Sequence, residues 1–307
     1  MQNFIYLIIH ILFALGMFIS IKLINIKGIN IYIAITINYF IAALFTLADL
    51  SINHHFWSYS AKMIIPSAIV AFLFTLSFIL ISFSTRKVGI GLTTALNKMS
   101  VLIPVLVGVF YLGQIQFLAI KLIGITISLI SIFLILYKKS EKRNKSAFIL
   151  PCMVFIVAGM IDSSMELANT YVISETYEKE VFLLSVFSFA VLFSLISFGA
   201  DFLYSKITET VNRDVEPKLK VSSATSIALE TLMYGSILGL FNSLTSKMIL
   251  INVGNLGGSV VYPIHNASVV VLTTFIGLLF FKELFTKKQW AGVILAVIGV
   301  SLIASTL

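Results

Sequence analysis

Ten times along its length the chain runs through about twenty consecutive, almost wholly apolar residues. The runs are 3–23, 29–48, 63–84, 88–111, 115–137, 147–169, 180–204, 224–248, 253–281 and 287–306. A bilayer core about 30 Å thick is crossed by about 20 helical residues rising 1.5 Å each, so every run is long enough to span it. None alternates polar with apolar residues as a barrel strand does, so the spans are read as helices. Composition agrees: 59% of the 307 residues are hydrophobic and 11% charged, and the mean hydropathy is +1.05. A soluble domain, with about 25% charged residues, needs a more polar surface than this, and a disordered chain needs a less apolar composition. The expected fold class is therefore an all-α integral membrane protein with ten transmembrane helices. Residues 1–25 lack a basic leader and a small-residue cleavage site, and read as an uncleaved first helix.

The basic segment 138–146 divides the spans five and five. The ends of the two halves repeat. The stretch from Gly108 through Ile123-Gly124 lies over that from Gly277 through Ala291-Gly292 with one gap, and at the same offset Gly89 falls on Gly258 and Asn97 on Asn266. Five spans per unit is odd, so the second copy enters the membrane from the opposite side. That gives two five-helix inverted-topology repeats, 1–137 and 147–307, joined by the 138–146 linker.

Lys and Arg set the orientation. Loops after spans 1, 3, 5, 7 and 9 hold 16 of them, the opposite loops hold four, and Lys98 lies inside a span. Basic loops stay in the cytoplasm, so the linker is expected inside and both termini outside. The same distribution accounts for the formal charge of +8. The basic residues sit in loops rather than on one face, so nucleic acid is not an expected partner. The single Cys152 excludes an intrachain disulfide and a cysteine-based zinc site.

Residues 262–304 carry a further pattern. Pro263 precedes a hairpin in which Glu283, Thr286, Gln289, Trp290 and Gly292 follow at fixed spacing. This resembles the drug/metabolite transporter superfamily, EamA type. The first half resembles a degraded copy, with Pro104, Gly108, Gln114 in place of the acidic residue, and Gly124. The resemblance implies a transporter whose central cavity is lined by helices 1, 3, 4, 6, 8 and 9, with 5 and 10 peripheral. Members of the superfamily are often placed with both termini in the cytoplasm, the reverse of what the loop charges here indicate.

Inside a membrane, ionisable residues carry the most information. Lys98 is expected about ten residues into helix 4, roughly 15 Å from its inner end, too deep for its stem to reach water. It needs a carboxylate partner, a substrate or a wet cavity; Thr94 and Asn97 share its face. His265 lies in the matching helix of the second half, beside Asn266 and one turn after Tyr262. Asp162 and Glu166 are four residues apart on helix 6. Glu230 lies a third of the way along helix 8, with Tyr234 on its face. Such carboxylates bind cations, relay protons or pair with Lys98.

The sequence contains no metalloprotease, nucleophile-elbow or phosphate-loop motif, and no metal-ligand cluster. No enzyme activity, metal or cofactor is expected. The expected function is secondary active transport, by alternating access, of a small polar metabolite across a bacterial cytoplasmic membrane. One midplane cation with nearby carboxylates fits an amino acid or similar zwitterion, and a coupled proton is a natural partner. The binding set is Lys98, Asn97, Thr94, His265, Asn266, Tyr262, Glu230, Asp162 and Tyr234. A lipid-linked-sugar flippase, or a membrane partner subunit that transports nothing, is the alternative; a flippase should open a groove sideways to lipid.

Overall fold

The computed structural model describes residues 2–53, 58–104, 106, 117–136, 145–175, 177–211, 224–256 and 258–305. Ten α-helices and no strand occur among them: α1 (Gln2–Ile26), α2 (Ile31–Asn53), α3 (Ile64–Val88), α4 (Ile90–Met99), α5 (Leu118–Leu136), α6 (Lys145–Tyr171), α7 (Glu178–Val211), α8 (Ala224–Leu256), α9 (Gly258–Leu279) and α10 (Lys287–Ala304). Six are long and apolar enough to cross a membrane, namely α1, α2, α3, α6, α7 and α8. The chain is an all-α, multi-pass membrane protein.

Local chemistry sets the turns. Gly28 ends α1 at φ +68°, and its N–H donates to the Asn25 carbonyl while that of Ile29 donates to the Ile24 carbonyl. These bonds form a Schellman motif, whose left-handed residue is easiest for glycine. Two residues on, the Asn30 side chain accepts from the N–H groups of Tyr32 and Ile33 and caps α2.

Three expected boundaries are corrected. The run 88–111 is not one uninterrupted helix: α4 ends at Met99, turns through Ser100 and Val101, and regains helical form at 102–104. Pro104 has no N–H to give the Ser100 carbonyl, which instead accepts from Ile103 at 2.9 Å. The break between the eighth and ninth spans is not at 251–255, because α8 continues through Leu256 and α9 begins at Gly258. α7 also outruns its expected end, reaching Val211.

Lipid is as apolar as a leucine side chain, so small residues and hydrogen bonds bring membrane helices together. Gly235 and Gly239 set α8 against α2; a Cβ on Gly239 would stand 2.5 Å from the Asn38 carbonyl oxygen. Nearby, Asn242 donates to Asn38 Oδ1 at 3.2 Å and the Thr46 and Ser243 hydroxyls meet at 3.0 Å. Ser67 and Ser185 join α3 to α7, and Ser84 and Thr93 join α3 to α4. Helices α5 and α10 pack on each other and touch the rest chiefly through α4 and α9.

Polar groups gather at two ends of the bundle. At one, Lys22 pairs with Glu283, Lys27 with Glu230, and Asn30 with Asp201. There too, Asn25 bonds Ser82 and Arg86. At the other, Lys247 pairs with Asp49 and Glu180, and Lys62 reaches Ser174.

Candidate functional site

Between these two ends lies a cavity with about 110 Å³ of room for water-sized molecules. Its described lining comes from α1, α3, α4, α6, α8 and α9. Most of the wall is apolar, with Met17, Phe74, Phe78, Ile81, Ile161 and Met165 among its residues. Polar groups interrupt it at chosen points.

Lys98 comes from the last turn of α4, just before the break that Pro104 imposes. It is the ninth residue of that helix, about 12 Å from its start by helical rise. Its Nζ stands 5.9 Å from the centre of the Phe18 ring of α1, within cation–π range. No carboxylate among the described residues lies within 4 Å of it. Asp162 of α6 is the carboxylate that acts on it electrostatically. Ser100, in the α4 break, donates to Asp162 Oδ2 at 3.4 Å, and the Tyr262 hydroxyl donates to the Asp162 carbonyl at 3.2 Å. A cation and a carboxylate thus belong to one cavity without closing an ion pair on each other. That arrangement leaves both charges available to a bound dipolar molecule.

Asn97, His265, Asn266 and Tyr262 also line the cavity. With Lys98 and Asp162 they make six of the nine residues expected there. The other three lie elsewhere. Thr94 is buried but does not line the cavity. Tyr234 packs against the apolar core. Glu230, expected a third of the way along its helix and in the binding set, does not line the cavity: its side chain is 40% accessible and 3.5 Å from Lys27 at the bundle end. It sits in the second turn of a helix that starts at Ala224, so its depth is only about 9 Å by helical rise.

One residue escaped sequence reasoning altogether. His10 of α1 lines the cavity, and its ring stacks on that of His265 with centroids 3.8 Å apart and planes 15° apart. Its signal was present: a histidine inside a 25-residue apolar helix is expensive wherever it faces lipid. Sequence separation from His265 hid the contact. Asn242 and Ser246 add hydrogen-bonding groups from α8. No group of three or more metal-ligating side chains occurs among the described residues.

Four of the residues that carry the family resemblance, Glu283, Thr286, Gln289 and Trp290, hold helix ends and the turn between α9 and α10. Glu283 accepts from the N–H groups of Ile90 and Gly91 at 2.7 and 3.1 Å, capping α4, and pairs with Lys22 at 2.9 Å. Thr286 and Gln289 form a reciprocal capping box at the start of α10. Trp290 packs beside Phe285. Gly108 and Gln114 lie outside the described residues, as do 138–144 of the basic linker.

No protein-family profile and no curated protein matches the chain. Among solved structures, one titled only as the crystal structure of a protein is similar in fold, with a TM-score of 0.59 and 11% identity. The match covers 98% of this chain and 96% of that one. It indicates a shared fold and nothing about activity.

Proposed function

We propose that the chain is a secondary transporter of the EamA-type drug/metabolite class, carrying a small zwitterion such as an amino acid by alternating access. The observation that carries this reading is the cavity between the bundle ends, in which Lys98 and Asp162 meet without pairing. A charged side chain at mid-membrane costs about 3 kcal/mol on insertion scales. A protein that keeps two such charges unpaired in a wet cavity gains from them elsewhere, and binding a substrate carboxylate and ammonium is the direct use. A phosphate group would recruit several Lys or Arg.

The lining helices are the six that the family resemblance implies, with α5 and α10 at the periphery. Helix contacts support two inverted repeats. The pairs α1–α8 and α3–α6, α2–α8 and α3–α7, and α1–α9 and α4–α6 are each exchanged when helices are renumbered by five. The hydrogen bond of Asn30 with Asp201 at one end, and the ion pairs of Lys247 with Asp49 and Glu180 at the other, run α2 and α7 in opposite directions, as an inverted repeat requires. On this reading all ten helices span a bacterial inner membrane, with repeats 1–137 and 147–307, the basic linker inside and both termini outside. A coupled proton or an exchanged solute supplies the energy. A lipid-linked sugar would need a groove open to lipid with several basic residues at headgroup level, whereas the cation on this cavity's described wall is Lys98.

The test is counterflow in proteoliposomes. Vesicles loaded with unlabelled amino acids should accumulate at least one of the same compounds as external radiolabel, and protein-free vesicles should not. Failure with the whole proteinogenic set, from protein that remains monodisperse, would contradict the assignment.

A further inference from the structure

Lys98 and Asp162 are not the only polar groups on the cavity wall. The rings of His10 and His265 are 1% and 2% exposed, and Asn266 is 2% exposed; all three line the cavity. The Nδ1 atoms of both histidines and the Nδ2 of Asn266 are buried with no hydrogen-bond partner. A buried polar atom left unpaired costs about 1–3 kcal/mol. Three on one cavity wall, from helices of both halves of the chain, are an arrangement a ligand would relieve.

The chemistry of these groups limits the ligand group. Stacked 3.8 Å apart, the rings cannot hydrogen-bond each other, because their edges do not meet. Two imidazolium charges at that spacing would repel, and Lys98 already acts electrostatically on both rings. A neutral imidazole has one N–H and one bare nitrogen, and an asparagine amide has donors and an acceptor. The matching partner is therefore a group that both donates and accepts while carrying no charge.

We propose that His10, His265 and Asn266 form a second recognition pole that takes a hydroxyl or amide on the substrate's side chain. This rests on the zwitterion reading above and narrows it: the charged pole holds the backbone ammonium and carboxylate, and the imidazole pole selects the side chain. Because α1 brings His10 to the site, the first helix is a specificity element.

Isosteric pairs test it. Purified wild-type protein is assayed by counterflow and by thermal shift with L-threonine against L-valine, and with L-asparagine against L-leucine. Losing one or two hydrogen bonds in a buried site is worth roughly 10- to 100-fold in affinity, so threonine and asparagine should win by that factor. His10→Phe keeps an aromatic ring over His265 and removes both nitrogens, and should bring the preference for threonine over valine toward unity. Equal handling of both members of each pair by the wild type would overturn the proposal, with water filling the pole, and would leave the zwitterion reading standing. If none of the four compounds is bound or carried while another proteinogenic amino acid is, this proposal falls and the zwitterion reading stands; if the whole set fails, both fall. The comparison on wild-type protein stands even if His10→Phe fails to fold.

Discussion

Lys98 is the residue on which the site turns. If it anchors a substrate carboxylate, Lys98→Met should cut counterflow by roughly 100-fold or more, since interactions with a buried charge are worth several kcal/mol. The variant should still insert and elute as a single species. If Lys98 instead supports the fold by its attraction to Asp162, Lys98→Met should lower the melting temperature and Lys98→Met/Asp162→Asn should restore it. Lys98 and Asp162 were legible in the sequence because charges in an apolar run carry a cost that must be met. Glu230 was expected in the cavity because it is a carboxylate inside an apolar run; its pairing with Lys27, 203 positions away, only packing reveals. His10 was overlooked for a similar reason. Its partner lies 255 positions away, and only packing brings α1 against α9.

At the scale of elements, the α9–α10 turn is built to hold α4. Glu283 covers two N–H groups that the start of α4 leaves without partners, and it neutralises Lys22 of α1 at the same point. Gly89, at φ +92°, passes so close that a Cβ there would stand 2.8 Å from the Glu283 carboxylate. Gly89→Ala should therefore destabilise by about 1–3 kcal/mol, read as a fall in melting temperature. Glu283→Ala should do the same. The double variant should cost less than the sum, because the new methyl no longer meets a carboxylate. The acidic hairpin pattern was legible in the sequence, but its reach to the start of α4 was not. The pause in α4 at Ser100 was likewise encoded by Pro104. A hydropathy window reads through it, because a proline in an apolar run changes backbone bonding more than hydropathy.

The whole molecule was the most legible level, since ten apolar runs with short polar joints leave little besides a helical membrane bundle. How its halves interlock was not, because that depends on which stripe of each uniformly apolar helix meets a neighbour. Glycines at 235 and 239 mark one such stripe on α8 only once α2 is seen against it. The proposed orientation makes a simple prediction. A reporter that is active only in the cytoplasm should be silent when fused after Leu307 and active when inserted at Ser140 in the linker. The reverse pattern would turn the molecule over and leave its fold as described. The claim that the cavity serves transport is tested most directly by asking which side can reach it. With Cys152→Ala removing the native thiol, Ser246→Cys places one thiol in the cavity wall, and a small membrane-impermeant thiosulfonate is applied to oriented vesicles from each side in turn. Alternating access predicts modification from both sides, slowed from both by a transported zwitterion. A thiol reached from one side alone, at a rate no solute changes, would contradict it.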